Sequence, residues 1–373
     1  MPPAPLIAAT GAIVGRNPHD PRSWSGSSAR LLMELERRGL LAAALGLQAP
    51  VLTRAALLAR TMHPNRARWR VRLAFEPAFR TALTRDLARS LRQAPGCDLL
   101  QFGCYFHGPA ALAGRARTFS YHDGNLARRL ASPYPLQGVS AEMIDRALAY
   151  EREVAQSVDL VLTMSAWLAR SFVEDYGVRP ERVIVIGGGM NWDAPPAAQQ
   201  EKDYSRPVLI FVGADFRRKG GPQVLEAFRA VRARFPEAEL HIAGPRILPI
   251  DRLPTGVTFH GHVTRHRLAE LFQRASLFVM PSLYEPFGIA PLEAMAHQLP
   301  AVVSGAWALA ETVEDGVTGA HVRPGDAEHL AEVLCGLLAQ PERLAHMGQA
   351  AREKALARHT WPAVVDRLEA VIA

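Results

Sequence analysis

Leu277-Phe278-Val279-Met280-Pro281-Ser282-Leu283-Tyr284-Glu285-Pro286-Phe287-Gly288-Ile289-Ala290-Pro291-Leu292-Glu293-Ala294-Met295-Ala296 is the stretch from which the fold is read. The apolar run Leu277 to Met280 predicts a buried strand. Pro281, Pro286 and Gly288 break the chain into a loop, and Pro291 marks where a helix begins. Glu285 lies on that loop and Glu293 in the first helical turn, with seven residues between the two carboxylates. A strand, a Gly/Pro loop and a helix N-terminus make a place for an anion. The N–H groups of Phe287, Gly288 and Ile289 point outward, and the helix dipole favours phosphate there. Two carboxylates beside a phosphate accept hydrogen bonds from sugar or ribose hydroxyls. The combination implies a nucleotide-sugar pocket.

Outward from that stretch, the same strand–loop–helix unit recurs. Val208 to Gly213 reads as a strand, followed by Ala214-Asp215-Phe216-Arg217-Arg218-Lys219-Gly220-Gly221 and a helix. Lys219 offers a compact charge to a β-phosphate and Arg218 a bidentate fork; the loop is not a P-loop, since G-x-x-x-x-G-K-[ST] is absent. Further strands are expected at Leu240–Ala243, Val257–His260 with the loop Gly261-His262-Val263, and Ala301–Ser304, each followed by helical periodicity. That alternation is typical of a parallel sheet with helices on both faces. The helices expected at Asp326–Leu338 and Glu342–Arg358 complete this half.

The first half repeats the grammar. An expected strand from Leu6 to Val14 leads into a loop ending in Trp24-Ser25-Gly26-Ser27, then an amphipathic helix from about Ala29 to Arg38 closed by Gly39. Gly26 and Ser27 sit at an oxyanion-type position; Trp24 either lines the site or packs the loop. Strands are expected at Asp98–Gly103 and Arg117–Tyr121, the second running into His122-Asp123-Gly124-Asn125. A histidine at the end of a strand in an open α/β sheet sits where ligands bind. As a neutral imidazole it bonds a sugar hydroxyl, and it titrates near neutral pH; a packed structural histidine is the bland alternative. Ser165 is a natural N-cap for a helix that Gly177 ends.

At 373 residues the chain is too long for one core. With 49% hydrophobic and 21% charged residues it reads as an ordinary soluble protein, of bacterial-like composition. No run of 18 apolar residues occurs, and the apolar start lacks a positive flank, so cytoplasm is the expected compartment. Cys97, Cys104 and Cys335 form no C-x-x-C or zinc-type grouping and read as packing residues. The net charge of +7 comes from arginine, with only Lys202, Lys219 and Lys354 as lysines. Residues 54–92 hold ten arginines against two acids. That segment is either a solvated helical face or a peripheral membrane surface at the inner face of the membrane, with Trp69 or leucines at the interface. Nucleic-acid binding lacks a recognised module.

The motif Glu285-Pro286-Phe287-Gly288, then Glu293-Ala294-Met295-Ala296, then Leu299-Pro300, resembles family 4 of the retaining glycosyltransferases. The passage from Val161 through Ser165, Tyr176-Gly177-Val178 and Arg182 to Gly189 has the family's form as well. The resemblance implies an α/β GT-B fold: two Rossmann-like domains facing across a cleft, with a C-terminal helix returning to the N-terminal domain. Its boundaries are expected at 1–192 for the acceptor-side domain, 193–207 for a linker, 208–358 for the nucleotide-sugar domain and 359–373 for the returning helix. It implies an enzyme that moves a hexose from a UDP- or GDP-sugar to a hydroxyl of a glycan, glycolipid or lipid-linked acceptor; with no carboxylate-rich cluster or D-x-D element among the site candidates, no obligatory metal is expected. A catalytically silent GT-B subunit, or an epimerase-type enzyme, is the alternative. Within that frame Lys219 and Arg218 hold the diphosphate with the Phe287–Ile289 amides, Glu285 binds the hexose, and Glu293 binds the ribose. His262 lies near the base, and His122, Gly26 and Ser27 line the reaction centre. Three departures stand out: Ala214 replaces the family's arginine, so either Arg217 or Arg218 supplies that charge or phosphate binding is weaker than usual; Ala310 replaces a proline; and Gln298 stands where the family has glycine.

Overall fold

The computed structural model describes residues 6–10, 17–21, 23–93, 96–103, 117–134, 136, 138–192, 194–199, 202–248, 250 and 252–372. The expected continuation of the first strand to Val14, the loop residues Gly15, Arg16 and Arg22, Cys104, and Asp193, Gln200 and Glu201 of the expected linker lie outside them. The chain forms two compact units: Met1–Ala131, Pro135–Gly188 and Trp361–Ala373 in the first, Ser132–Tyr134 and Gly189–Thr360 in the second.

The first unit runs β1 (Ile7–Thr10), α1 (Ser27–Arg37), β2 (Leu41–Leu45), α2 (Val51–Arg60), α3 (Arg66–Ala74), α4 (Pro77–Ser90), β3 (Asp98–Phe102) and β4 (Thr118–His122). It continues through α5 (Leu126–Leu130), α6 (Ala141–Ser157), β5 (Leu160–Thr163), α7 (Ala166–Glu174) and β6 (Val183–Val185). The strands pair in parallel in the order β2-β1-β3-β4-β5-β6. Their near-continuous apolar runs are what burial on both sheet faces demands. α1 starts two residues before the expected Ala29, because Gly26 at φ 96° takes the left-handed N-cap conformation that a side chain would resist. Ser165 caps α7 as expected, its hydroxyl accepting from the Leu168 amide at 3.2 Å. Cys97 packs in the core with Leu83, Leu87 and Leu99.

The last helix of the chain, α14 (Trp361–Ile372), belongs to this unit and lies against α1. Val364, Val365, Leu368 and Ile372 bury its apolar stripe. Arg38, at the end of α1, clamps the polar edge: it pairs with Asp366 at 2.7 Å and with Glu369, and donates to the Pro362 carbonyl at 2.9 Å.

The second unit contains β7 (Val208–Val212), α8 (Gly221–Arg234), β8 (Glu239–Ala243), β9 (Val257–Gly261), α9 (Arg265–Arg274) and β10 (Leu277–Met280). α10 (Ile289–Ala296), β11 (Ala301–Ser304), α11 (Leu309–Thr312), β12 (Gly319–Val322), α12 (Ala327–Leu338) and α13 (Pro341–Arg358) follow. All six strands are parallel, in the order β12-β11-β10-β7-β8-β9.

The stretch expected to be a linker is tied to the second unit. Lys202 donates to the Phe272 and Gln273 carbonyls at 2.9 and 3.0 Å, closing the C-terminus of α9, and burial pulls its pKa down to about 7. Gln298, the residue in place of glycine, adopts φ +60°. Its side-chain oxygen accepts from the Gln199 amide at 2.6 Å and its side-chain nitrogen donates to the Gln199 carbonyl at 3.3 Å. The left-handed backbone costs a non-glycine residue about 1 kcal/mol, and the paired amide offsets it by fastening residue 199.

Replacing Gln298 should separate these two effects. Q298A keeps the strain and loses both bonds, and is expected to cost about 1–2 kcal/mol. Q298G loses the same bonds but relieves the backbone, and should stay within about 0.5 kcal/mol of the parent. Urea unfolding of the two variants measures the difference; equal losses would show that the backbone carries no strain.

Candidate functional site

The second sheet changes direction between β7 and β10. From β7 the chain proceeds outward through β8 and β9, then returns to place β10 on the other side of β7, with Leu277 opposite Leu209 and Phe278 opposite Ile210. At such a switch point the loops leaving the two strands diverge and open a crevice at the carboxyl ends. The β7–α8 loop carries Arg218 and Lys219; the β10–α10 loop carries Glu285. The Leu283 amide donates to the Arg218 carbonyl at 2.8 Å and locks the loops together. Gly220, at φ +79°, permits the contact, since a Cβ there would lie 2.1 Å from the Pro281 carbonyl oxygen.

Three expected site residues therefore converge. The Glu285 carboxylate, 8% exposed, accepts from Lys219 Nζ at 3.0 Å and from Arg218 Nη1 at 3.3 Å. Arg218 is further anchored by the Tyr284 carbonyl at 2.6 Å and by Asp215 at 3.3 Å. Ala214 and Arg217 are exposed, so of the two arginines it is Arg218 whose guanidinium reaches Glu285. Two cations around one buried carboxylate form a charged cluster whose groups are fixed in direction by one another.

Three residues after Glu285, Gly288 at φ +96° is the N-cap of α10, with no side chain capping the helix. A Cβ on Gly288 would come within 2.5 Å of Leu309, so only glycine lets α10 start here. The helix begins at Ile289, not at Pro291. Proline is tolerated as the third residue because the N–H it lacks has no intrahelical partner there. This corrects the position of Glu293, which is the fifth residue of α10 and lies beyond the first turn. Glu293 faces Arg265, whose Nη1 is 3.9 Å from its carboxylate and which also donates to the Asn191 carbonyl. His262 is exposed in the loop after β9 and, among the described residues, makes none of the contacts that join Glu285, Lys219 and Arg218.

In the first unit the switch point falls between β1 and β3. The turn before α1 holds Trp24 at φ 49° and Ser25 at φ 57°, two non-glycine residues in the left-handed region. Trp24 meets Phe102 and Tyr121 edge-on at 5.3 and 5.6 Å, so it packs the loop. Such contacts over-determine a strained turn. Gly26 and Ser27 follow directly, with Ser27 buried at the start of α1.

His122 is the last residue of β4, opposite Thr163 of β5. Its ring lies 4.6 Å from that of Phe172 and is 2% exposed. Burial alone pushes its pKa down to about 3, which corrects the expectation that it titrates near neutral pH. The turn after it is fastened by buried polar groups. Asn125 accepts from the Arg128 amide at 2.9 Å and donates to Ser171 at 2.9 Å. Glu151 accepts from the Leu126 amide at 3.0 Å and from the Tyr176 hydroxyl, which in turn accepts from the Ala127 amide at 3.1 Å. Burial raises the Glu151 pKa above the usual carboxylate range.

Arg265, Asp215 and the Asn125–Glu151–Tyr176 network escape the sequence reading. Asp215 precedes Arg218 by three residues and was readable as a local pair. Arg265 and Glu151 reach their partners only through the fold.

Residues 30–194 match the family described as Glycosyltransferase Family 4, and residues 196–354 match glycosyl transferases group 1. The chain is 29% identical over 248 residues to alpha-maltose-1-phosphate synthase of Mycolicibacterium smegmatis, a match that spans 58% of this chain and 63% of that protein. Less than two thirds of that relative is thus represented here. A structure of sucrose-phosphate synthase from Thermosynechococcus elongatus aligns with a TM-score of 0.72 at 19% identity, covering 98% of both chains. Anabaena HepE in complex with UDP and glucose aligns with a TM-score of 0.66 at 17% identity, covering 99% of both chains. These likenesses show the fold, α/β of GT-B type.

Burial sets a pH dependence. His122 and His297 are held at about 3 and about 4, whereas each titrates near 6.5 in the unfolded chain. Folded-state values below the unfolded ones mean stability that is complete above pH 6.5 and lost as pH falls toward 4. Each histidine contributes a slope of up to about 1.4 kcal/mol per pH unit. H122Q should reduce the slope of unfolding free energy against pH by about one proton between pH 6 and 4.5. An unchanged slope in urea titrations would show that His122 is hydrated.

Proposed function

This chain belongs to the family 4 glycosyltransferases, and we propose that it transfers a hexose with retention from a nucleoside-diphosphate sugar to a hydroxyl acceptor. The observation that supports this most directly is the convergence of Glu285, Lys219 and Arg218 at the switch point, beside the N-terminus of α10. Departure of a nucleoside diphosphate builds negative charge while the anomeric centre becomes oxocarbenium-like, and fixed cations and amides stabilise that charge. In this reading Lys219, Arg218 and the Phe287, Gly288 and Ile289 amides take the diphosphate. Arg218 supplies the charge missing at Ala214, and turnover is expected to need no metal. Glu285 binds the hexose hydroxyls, Glu293 the ribose, and His262 flanks the base. From the first unit, Gly26, Ser27 and His122 meet substrate, His122 as a neutral hydrogen-bonding group.

The donor is a UDP- or GDP-sugar; the UDP complex of Anabaena HepE makes UDP the first to test. The acceptor is a glycan, glycolipid or lipid-linked intermediate, and the enzyme works in the cytoplasm, peripherally at the inner face of the membrane. No helix among the described residues is long and apolar enough to cross a membrane.

Two measurements test the reading. In a thermal-shift panel of UDP, GDP, ADP and dTDP, one diphosphate should raise the midpoint by a few degrees with or without magnesium, since a ligand at about 100 times its Kd adds about 2.7 kcal/mol. A panel with no shift makes a silent subunit the better reading. E285Q should lower kcat about 100-fold or more. Diphosphate affinity should hold or rise, because Lys219 and Arg218 lose a competing carboxylate. Unchanged turnover would remove Glu285 from the mechanism.

A further inference from the structure

α2 is apolar on the side that faces water. It packs on α4 and buries Leu57, while Val51 is 79% exposed, Leu52 85% and the following Met62 70%. These are three of the four most exposed large aliphatic side chains among the described residues. Val51, Ala55, Ala59 and Met62 recur at helical spacing, with Leu52 and Ala56 beside them, and all six are exposed. An ordinary surface helix has the reverse arrangement.

Along the chain from α2 into α3 the charge is of one sign. From Val51 to Phe75 the sequence holds six arginines and neither aspartate nor glutamate. Arg54 is exposed, and Arg60 is 68% exposed although it reaches Glu76. Trp69, expected at an interface, is instead tied inward, its indole N–H donating to the Leu58 carbonyl at 3.1 Å and to Thr61 at 3.2 Å. The apolar element is therefore α2, which begins before the arginine-rich segment and itself carries Arg54 and Arg60.

We propose that α2 lies in the surface of an anionic lipid bilayer, with Val51, Leu52 and Met62 among the acyl chains and Arg54 and Arg60 at the headgroups. An apolar ridge edged by cations is the chemistry that binds such a surface. A second copy of this chain suits the face poorly, because two faces of the same positive sign repel. The proposal deepens the peripheral location suggested above but rests on no catalytic assignment; vesicle binding without transfer would leave it standing.

The test is co-sedimentation of the whole protein with vesicles of phosphatidylcholine alone and of phosphatidylcholine with about 30% phosphatidylglycerol. Binding is expected only to the anionic vesicles and to weaken with salt. V51D/L52D and, separately, R54E should each lower partitioning about tenfold or more, with unchanged thermal midpoints and unchanged diphosphate binding. Equal binding by V51D/L52D, equal binding to neutral vesicles, or wild-type self-association that V51D/L52D abolishes would overturn the proposal, the last by assigning the face to a protein partner. Binding of R54E equal to the parent would overturn the role of the charge.

Discussion

A carboxylate as buried as that of Glu285 is stable only beside its cations. Moving an unpaired carboxylate out of water costs several kcal/mol, and Lys219 and Arg218 lie at 3.0 and 3.3 Å to offset it. Those cations sit some 66 residues earlier in sequence, on the loop after β7. The pair forms because β10 returns to the side of β7 that β8 leaves open. Strand order, the close approach at Gly220 and the amide bond from Leu283 to Arg218 are parts of one constraint. The α10 N-terminus is then delivered to the same place by the glycine conformation at Gly288.

The first unit is organised by packing more than by charge. Its switch-point turn holds two left-handed non-glycine residues, and the aromatic trio of Trp24, Phe102 and Tyr121 keeps that turn in place. His122 is made neutral by the apolar enclosure that fixes its ring. The bonds from Asn125 and Glu151 then hold the turn that follows it. Arginine supplies structure as well as charge: Arg38 ties the last helix to the first, and Arg117 pairs with Asp98 at 2.8 Å.

Much of this was legible in the residues. The alternation of apolar strands and amphipathic helices specified two parallel-sheet halves, because side chains buried on both sheet faces leave a readable run. The loops that carry Lys219 and Glu285 were legible as strand-to-helix turns, because glycine and proline clusters between an apolar run and an amphipathic one mark them. Pro291 misled, since proline suits more than one position in a first turn, and Glu293 was displaced as a result. The titration of His122 and the inward anchoring of Trp69 were not legible, because both depend on what surrounds the ring.

By itself, then, the sequence determined the fold class, the existence of both strand-to-helix loops and the residues that carry charge in them. These are local properties: periodicity, turn chemistry and the identity of side chains a few residues apart. Only the tertiary structure decided that Glu285 meets Lys219 and Arg218, that Arg265 meets Glu293, that His122 is neutral and that α2 turns its apolar face outward. Contact between distant segments and exclusion of water depend on how strands are ordered and helices docked, and no short stretch of chain contains that information.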